Sequence, residues 1–248
     1  MKKLVYALLF CICLAGCNPV FYSPPSQNVP LLTHEKEFTA SASLVGGESA
    51  DGIGIKAAYA VSPHVGIMAG GNGYFPDSKS DSSSYGSGGL FEAGAGYFTP
   101  ISDRLVFETY GLLGVGKMRN NFPGSVEQHP GTDGKISANL FSMAIQPAFG
   151  YKSKYFEAAF STKGALVTYS NIKGNLMERN DDQSAEGNQQ AYLKSNKSNF
   201  MLEPAITLRG GWDFLKLQLQ VGKSLNLSHP NFPQDEGWFS LGLSYRLH

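Results

Sequence analysis

From residue 37 onward, bulky apolar side chains alternate one for one with small, polar or charged ones. Phe38, Ala40, Ala42 and Leu44 alternate with Thr39, Ser41 and Ser43; Leu215, Leu217, Leu219 and Val221 alternate with Lys216, Gln218, Gln220 and Gly222. A period of two is the signature of a strand with two unlike faces. Ten such runs are legible, beginning near Phe38, Ile53, Val65, Phe91, Leu105, Phe141, Phe156, Phe200, Leu215 and Phe239. The sense of the alternation matters. A soluble sandwich turns its bulky set inward and shows charge outside. Here the second set is rich in Gly, Ser and Gln, which suits a lumen, with the apolar set facing lipid. Several runs exceed the five or six residues usual in soluble sheets and are long enough for a tilted membrane crossing.

The connections follow the same logic. Short ones are expected at 62–64, 101–104, 152–154 and 210–213, and longer polar ones at 46–51, 76–87, 119–135, 170–199 and 226–236. Strict alternation of short and long predicts an even-stranded, all-β, antiparallel up-and-down transmembrane β-barrel of ten strands, with short periplasmic turns and longer outer loops. Tyr59, Tyr97, Tyr151, Tyr155, Trp212, Phe214 and Tyr245 flank the short turns and would form the periplasmic aromatic girdle.

The start of the chain reads differently. Lys2 and Lys3 precede an apolar run from Leu4, and Leu14-Ala15-Gly16-Cys17 ends it in the order of a lipoprotein cleavage site. Residues 1–16 are expected to be removed as a signal peptide, leaving Cys17 to carry lipid, palmitate included. About 13 apolar residues are too few to span a bilayer core needing roughly 20. Residues 17–36 contain Pro19, Pro24, Pro25 and Pro30, which rules out a strand and predicts an extended tether, with the lipid on the periplasmic side. Residues 37–248 then form the barrel.

Composition narrows the reading further. Removal of Lys2 and Lys3 leaves 18 of the 20 basic residues against 20 acidic ones, so no nucleic-acid partner is expected. Cys11 and Cys13 fall in the leader, which leaves Cys17 alone and excludes a disulfide or a cysteine metal site in the mature chain.

The lipobox, the 29–32 stretch Val-Pro-Leu-Leu with the following Glu35-Lys36-Glu37, and the 58–63 turn Ala-Tyr-Ala-Val-Ser-Pro resemble a family of lipid-anchored outer-membrane β-barrel proteins of Gram-negative bacteria. The rhythm of Tyr245 and Leu247 is similar to the barrel-assembly signal of outer-membrane proteins. The resemblance implies an outer-membrane protein with no defined activity; outer-membrane lipid and other membrane proteins are the partners expected of a membrane barrel.

Candidate chemistry is sparse. The 111–117 stretch has Gly111, Gly116 and Lys117 at phosphate-loop spacing, but Met118 replaces the magnesium-binding hydroxyl and the segment lies in a strand. The mature histidines, His34, His64, His129, His229 and His248, show no metal-ligand spacing, and no cofactor is expected. Glu178, Asp181 and Asp182 mark the 170–199 loop as a hydrated outer surface or a binding loop. One constellation stands out. Glu92, Glu108, Glu157 and Glu203 share the predicted lumen with Lys56, Lys163, Arg209, Lys216 and Arg246. Such near-balance fits an internal ion-pair network. A narrow channel for small solutes or ions is the alternative, left open by lumen glycines such as Gly94, Gly96, Gly114, Gly116, Gly222 and Gly242. A lipid-modifying barrel enzyme is a third reading, against which no strand places a His on the lipid-facing side. The expected role is non-enzymatic, structural or interactive, through outer loops or membrane partners.

Overall fold

The computed structural model describes residues 19–75, 85–122, 132–179 and 186–247. The leader, Cys17, His129, Asp181, Asp182 and His248 lie outside the described residues. Ten long strands follow one another: β1 (Phe38–Gly47), β2 (Asp51–Ala60), β3 (Val65–Phe75), β4 (Tyr85–Pro100), β5 (Leu105–Phe122), β6 (Gly134–Lys152), β7 (Phe156–Gly174), β8 (Ser198–Gly211), β9 (Leu215–Lys223) and β10 (Gly237–Leu247). Each pairs antiparallel with the next, and β1 pairs with β10 from Phe38↔Leu247 to Gly47↔Trp238. The sheet is thus a closed up-and-down barrel without edges.

Burial follows the alternation. Along β2, Gly52, Gly54, Lys56, Ala58 and Ala60 are buried while Ile53, Ile55 and Tyr59 are exposed. The same holds along β9, where Lys216, Gln218 and Gln220 are buried and Leu217, Leu219 and Val221 exposed. Apolar side chains therefore cover the outside of the barrel, the arrangement a hydrocarbon solvent selects, while its inside combines polar and charged side chains with an apolar cluster around Met118, Ile136, Val167 and Met201. Tyr59, Tyr97, Tyr155, Trp212, Phe214 and Tyr245 all point outward near the short turns.

Three features differ from the sequence-based expectation. The first is at the β1–β2 connection, where Gly47 donates to the Ala50 carbonyl, so only 48–50 lie between the strands and the strict short–long alternation breaks there. The second is strand length: β5, β6 and β7 run 18 or 19 residues, well past the apolar belt, so much of the expected 119–135 and 170–199 loops is projecting sheet. Polar residues there, such as Lys117 and Arg119, still continue the hydrogen-bond ladder with Asn139 and Ser137. The 170–199 stretch also holds a short hairpin, Met177–Arg179 with Glu186–Asn188, and a helix, α1 (Gln189–Ser195). Asn188 caps α1 through its side chain, and the helix buries its own Leu193 in the cluster that holds Leu176.

The third difference concerns the proline-rich segment. Instead of a periplasmic tether, residues 19–33 form a plug that threads the barrel lumen, and exposed residues 34–36 turn the chain into β1. Phe21, Tyr22, Ser26, Gln27, Val29, Leu31 and Leu32 are all buried. Its prolines suit the role: a segment that cannot join a ladder leaves its carbonyls free to accept bonds from lumen side chains.

Candidate functional site

The plug can be followed from one mouth of the barrel to the other by its hydrogen bonds. At the long-loop mouth, Asn120 of β5 donates to the Val20 carbonyl at 2.7 Å, and Phe21 donates to the Pro233 carbonyl at 2.9 Å. The Phe21 ring packs among Phe232 and Tyr192, and the Tyr169 hydroxyl donates to the Phe21 carbonyl. Halfway down, Gln27 donates through its amide to Gln220 at 2.7 Å and through its side chain to the Glu203 carbonyl at 2.6 Å. Ser161 donates to Gln27, and Gln146 to the Asn28 carbonyl. At the short-turn mouth, Arg209 donates to the Val29 carbonyl, Arg246 to those of Pro30 and Leu31, and Lys152 to Leu31. Finally Lys36 donates to Ala60, where the chain turns into β1.

The wall makes room for this segment with small residues. A β-carbon at Gly150 would lie 2.5 Å from the Leu31 Cδ2, and one at Gly66 would lie 2.9 Å from the Leu32 Cδ1. One at Gly54 would lie 3.2 Å from the Ser26 hydroxyl. Lumen space that composition allows for a solute is here filled by polypeptide.

The lumen charges sort into two clusters. Toward the short-turn mouth, Glu157 binds Arg209 at 2.9 Å, Arg246 at 3.1 Å and Lys216 at 3.2 Å. Arg246 also pairs with Glu37, which takes Lys152 at 2.6 Å as a second partner. Burial pushes the Glu37 carboxyl up, but Arg246 and Lys152 outweigh it and hold it down at about 2. Higher in the lumen, Lys163 lies between Glu203 at 2.9 Å and Glu92 at 3.3 Å. Tyr22 of the plug donates to Glu203 at 2.7 Å. Two residues stand outside both clusters. Lys56 bonds the Ser26 hydroxyl of the plug. Glu108 forms none of the described ion pairs; its buried carboxylate faces the Leu31 and Leu32 backbone without meeting hydrogen-bond geometry.

Sequence reasoning omitted Glu37 and Lys152 from the constellation, since one precedes the first strand and the other ends one. It also omitted the plug carbonyls, which complete the coordination of both arginines. One available signal was the 29–32 stretch, four apolar residues in a segment read as an extended tether. His34 pairs with Glu37 at 3.4 Å, His64 stacks on Tyr97, and His229 lies 2.9 Å from Asn199, so the described histidines occupy separate places. Among the described residues no three His, Cys, Asp or Glu side chains come together as a metal site.

No protein-family model and no curated relative matches the chain. Solved structures similar to it include Ail, the attachment invasion locus protein of Yersinia pestis, at 13% identity and a TM-score of 0.35, over 86% of this chain and 99% of that one. The KdgM porin is similar at 9% identity and 0.36, over 85% and 99%. LpxR from Salmonella typhimurium is similar at 7% identity and 0.37, over 84% and 99%. At identities this low the likeness says nothing of activity.

Proposed function

We propose that this protein is a plugged, non-enzymatic outer-membrane barrel, lipid-anchored at Cys17, that works through its outer surface or with membrane partners. The observation that supports this reading is the burial of residues 20–33 along the lumen, hydrogen-bonded to strands on every side. A pathway for solutes needs continuous open space. Here that space holds two ion-pair clusters and a polypeptide: the lower cluster binds its carbonyls, and Glu203 of the upper one accepts from its Tyr22 hydroxyl. The chemistry left to the molecule is then presentation: long strands β5–β7 carry their connecting residues beyond the membrane belt, and α1 caps that end.

The test is electrical. Full-length protein, reconstituted in planar bilayers, is expected to show no steady conductance, and a variant lacking residues 20–33 is expected to show steps. Steady single-channel currents from the intact, folded chain overturn the plugged reading in favour of the narrow channel. Gentle detergent extraction and pull-down of the tagged native protein then reads the interaction role: recovery of a stoichiometric membrane partner supports it.

A further inference from the structure

We infer that the mature amino terminus, and with it the acyl group on Cys17, lies on the outer face of the membrane, on the side of the long connections. The inference rests on the membrane placement and lipidation proposed above, and it adds the leaflet. Its ground is the direction of the plug. Val20 is held by Asn120 and Phe21 by the 224–236 connection, both at the long-loop mouth, while Leu31 meets Lys152 and Arg246 at the short-turn mouth. The chain thus enters β1 from below after crossing the lumen from above.

Distances decide which leaflet the lipid can reach. Fourteen residues from 20 to 33 in extended form, at about 3.1 Å each, cover roughly 40 Å. That suffices to traverse a hydrocarbon core of about 30 Å. Cys17 precedes Pro19 by two residues, which reach at most about 7 Å. A return to the periplasmic leaflet is several times that distance, and the lumen it would use is already occupied. The outer route is short. The connection 48–50 keeps the rim low beside the plug: Asp235, which accepts from Ser23 at 2.6 Å, also takes a hydrogen bond from Ser49 in that connection. The last outward apolar pair of that hairpin, Leu44 opposite Ile53, lies only a few residues below.

A protease-site insertion tests this in intact cells. One variant carries the site between Asn18 and Pro19, a second in connection 76–84, and a third in turn 101–104; heat-modifiable gel mobility confirms that each barrel is folded. Protease added to intact cells is expected to cut the first two and spare the third until the membrane is permeabilised. Resistance of the Asn18 site in cells where the 76–84 site is cut overturns the inference. Cleavage at 101–104 with resistance at 76–84 instead shows that the membrane orientation is wrong, and the outer-face placement falls with it. Mass analysis of the released amino-terminal peptide separates the remaining reading: cleavage in intact cells with an unmodified Cys17 removes the lipid and leaves the exit of the chain as inferred.

Discussion

Glu157 meets three cations with two oxygens, Arg209 on one and Lys216 and Arg246 on the other. Removing its charge leaves all three buried with one counter-charge fewer, and breaking a buried pair in this way costs about 3–5 kcal/mol. Glu157→Gln is therefore expected to lose that much in urea unfolding of the refolded barrel. Glu108→Gln is the contrasting case. Its carboxylate is buried without an ion pair, so an amide of the same shape is expected to be neutral or stabilising. Equal losses in the two variants would remove the distinction between paired and unpaired lumen charge. Glu37 adds a pH dependence. Its carboxyl is held down at about 2 in the folded chain, so its contribution is complete above the ordinary carboxylate range and disappears as pH falls toward 2. A shift of this size corresponds to about 3 kcal/mol at 1.36 kcal/mol per unit. Wild-type stability is expected to fall more steeply than that of Glu37→Gln between about pH 5 and pH 2, and parallel curves would contradict the assignment.

The plug is an element whose local character was legible and whose destination was not. Pro19, Pro24, Pro25 and Pro30 exclude it from a ladder, and that much follows from the missing amide hydrogens. Where it goes depends on volume inside a barrel not yet assembled, which no local pattern encodes. The inward glycines and alanines were a second, indirect signal beside the 29–32 stretch, since ten strands lined by small residues enclose more space than their own side chains fill. The same limit applies to α1: its Leu193 is buried in a cluster with Leu176, Ile136 and plug residue Phe21, which only the assembled barrel brings together. Fit between plug and wall makes a direct prediction. Leu31 sits at φ 51°, an unusual backbone state for a leucine, and has little freedom to yield. Gly150→Val, which drives a side chain into Leu31, is expected to cost about 1–3 kcal/mol as an overpacking change. It should also raise hydrogen exchange at residues 29–32 while the strand amides stay protected. Gly210→Ala, where nothing lies within 4 Å of the new methyl, is the expected neutral control. Equal exchange in both would mean that the wall does not hold the plug.

At the scale of the molecule, the two faces of the sheet answer to different solvents, and this division was the most legible feature of the chain because a period of two needs no tertiary information. On β6 the outward positions are apolar from Phe141 to Tyr151, then change to Asn139, Ser137 and Lys135. That run of 11 residues matches a tilted crossing of about 9–11, so Ile145 lies near the middle of the belt and Phe141 at its rim. Ile145 is 60% exposed to solvent in the isolated chain. If water were its neighbour, Ile145→Arg would change stability by no more than about 0.5 kcal/mol, as exposed substitutions do. With hydrocarbon as its neighbour, the same change costs about 2–4 kcal/mol at the bilayer midplane and falls to about 0–1 near the interface. Ile145→Arg is therefore expected to destabilise the bilayer-reconstituted barrel by several times more than Phe141→Arg, read from denaturant unfolding of both in the same vesicles. A depth-dependent penalty assigns the apolar face to lipid; a flat one, small at both positions, assigns it to water and leaves the barrel without a membrane.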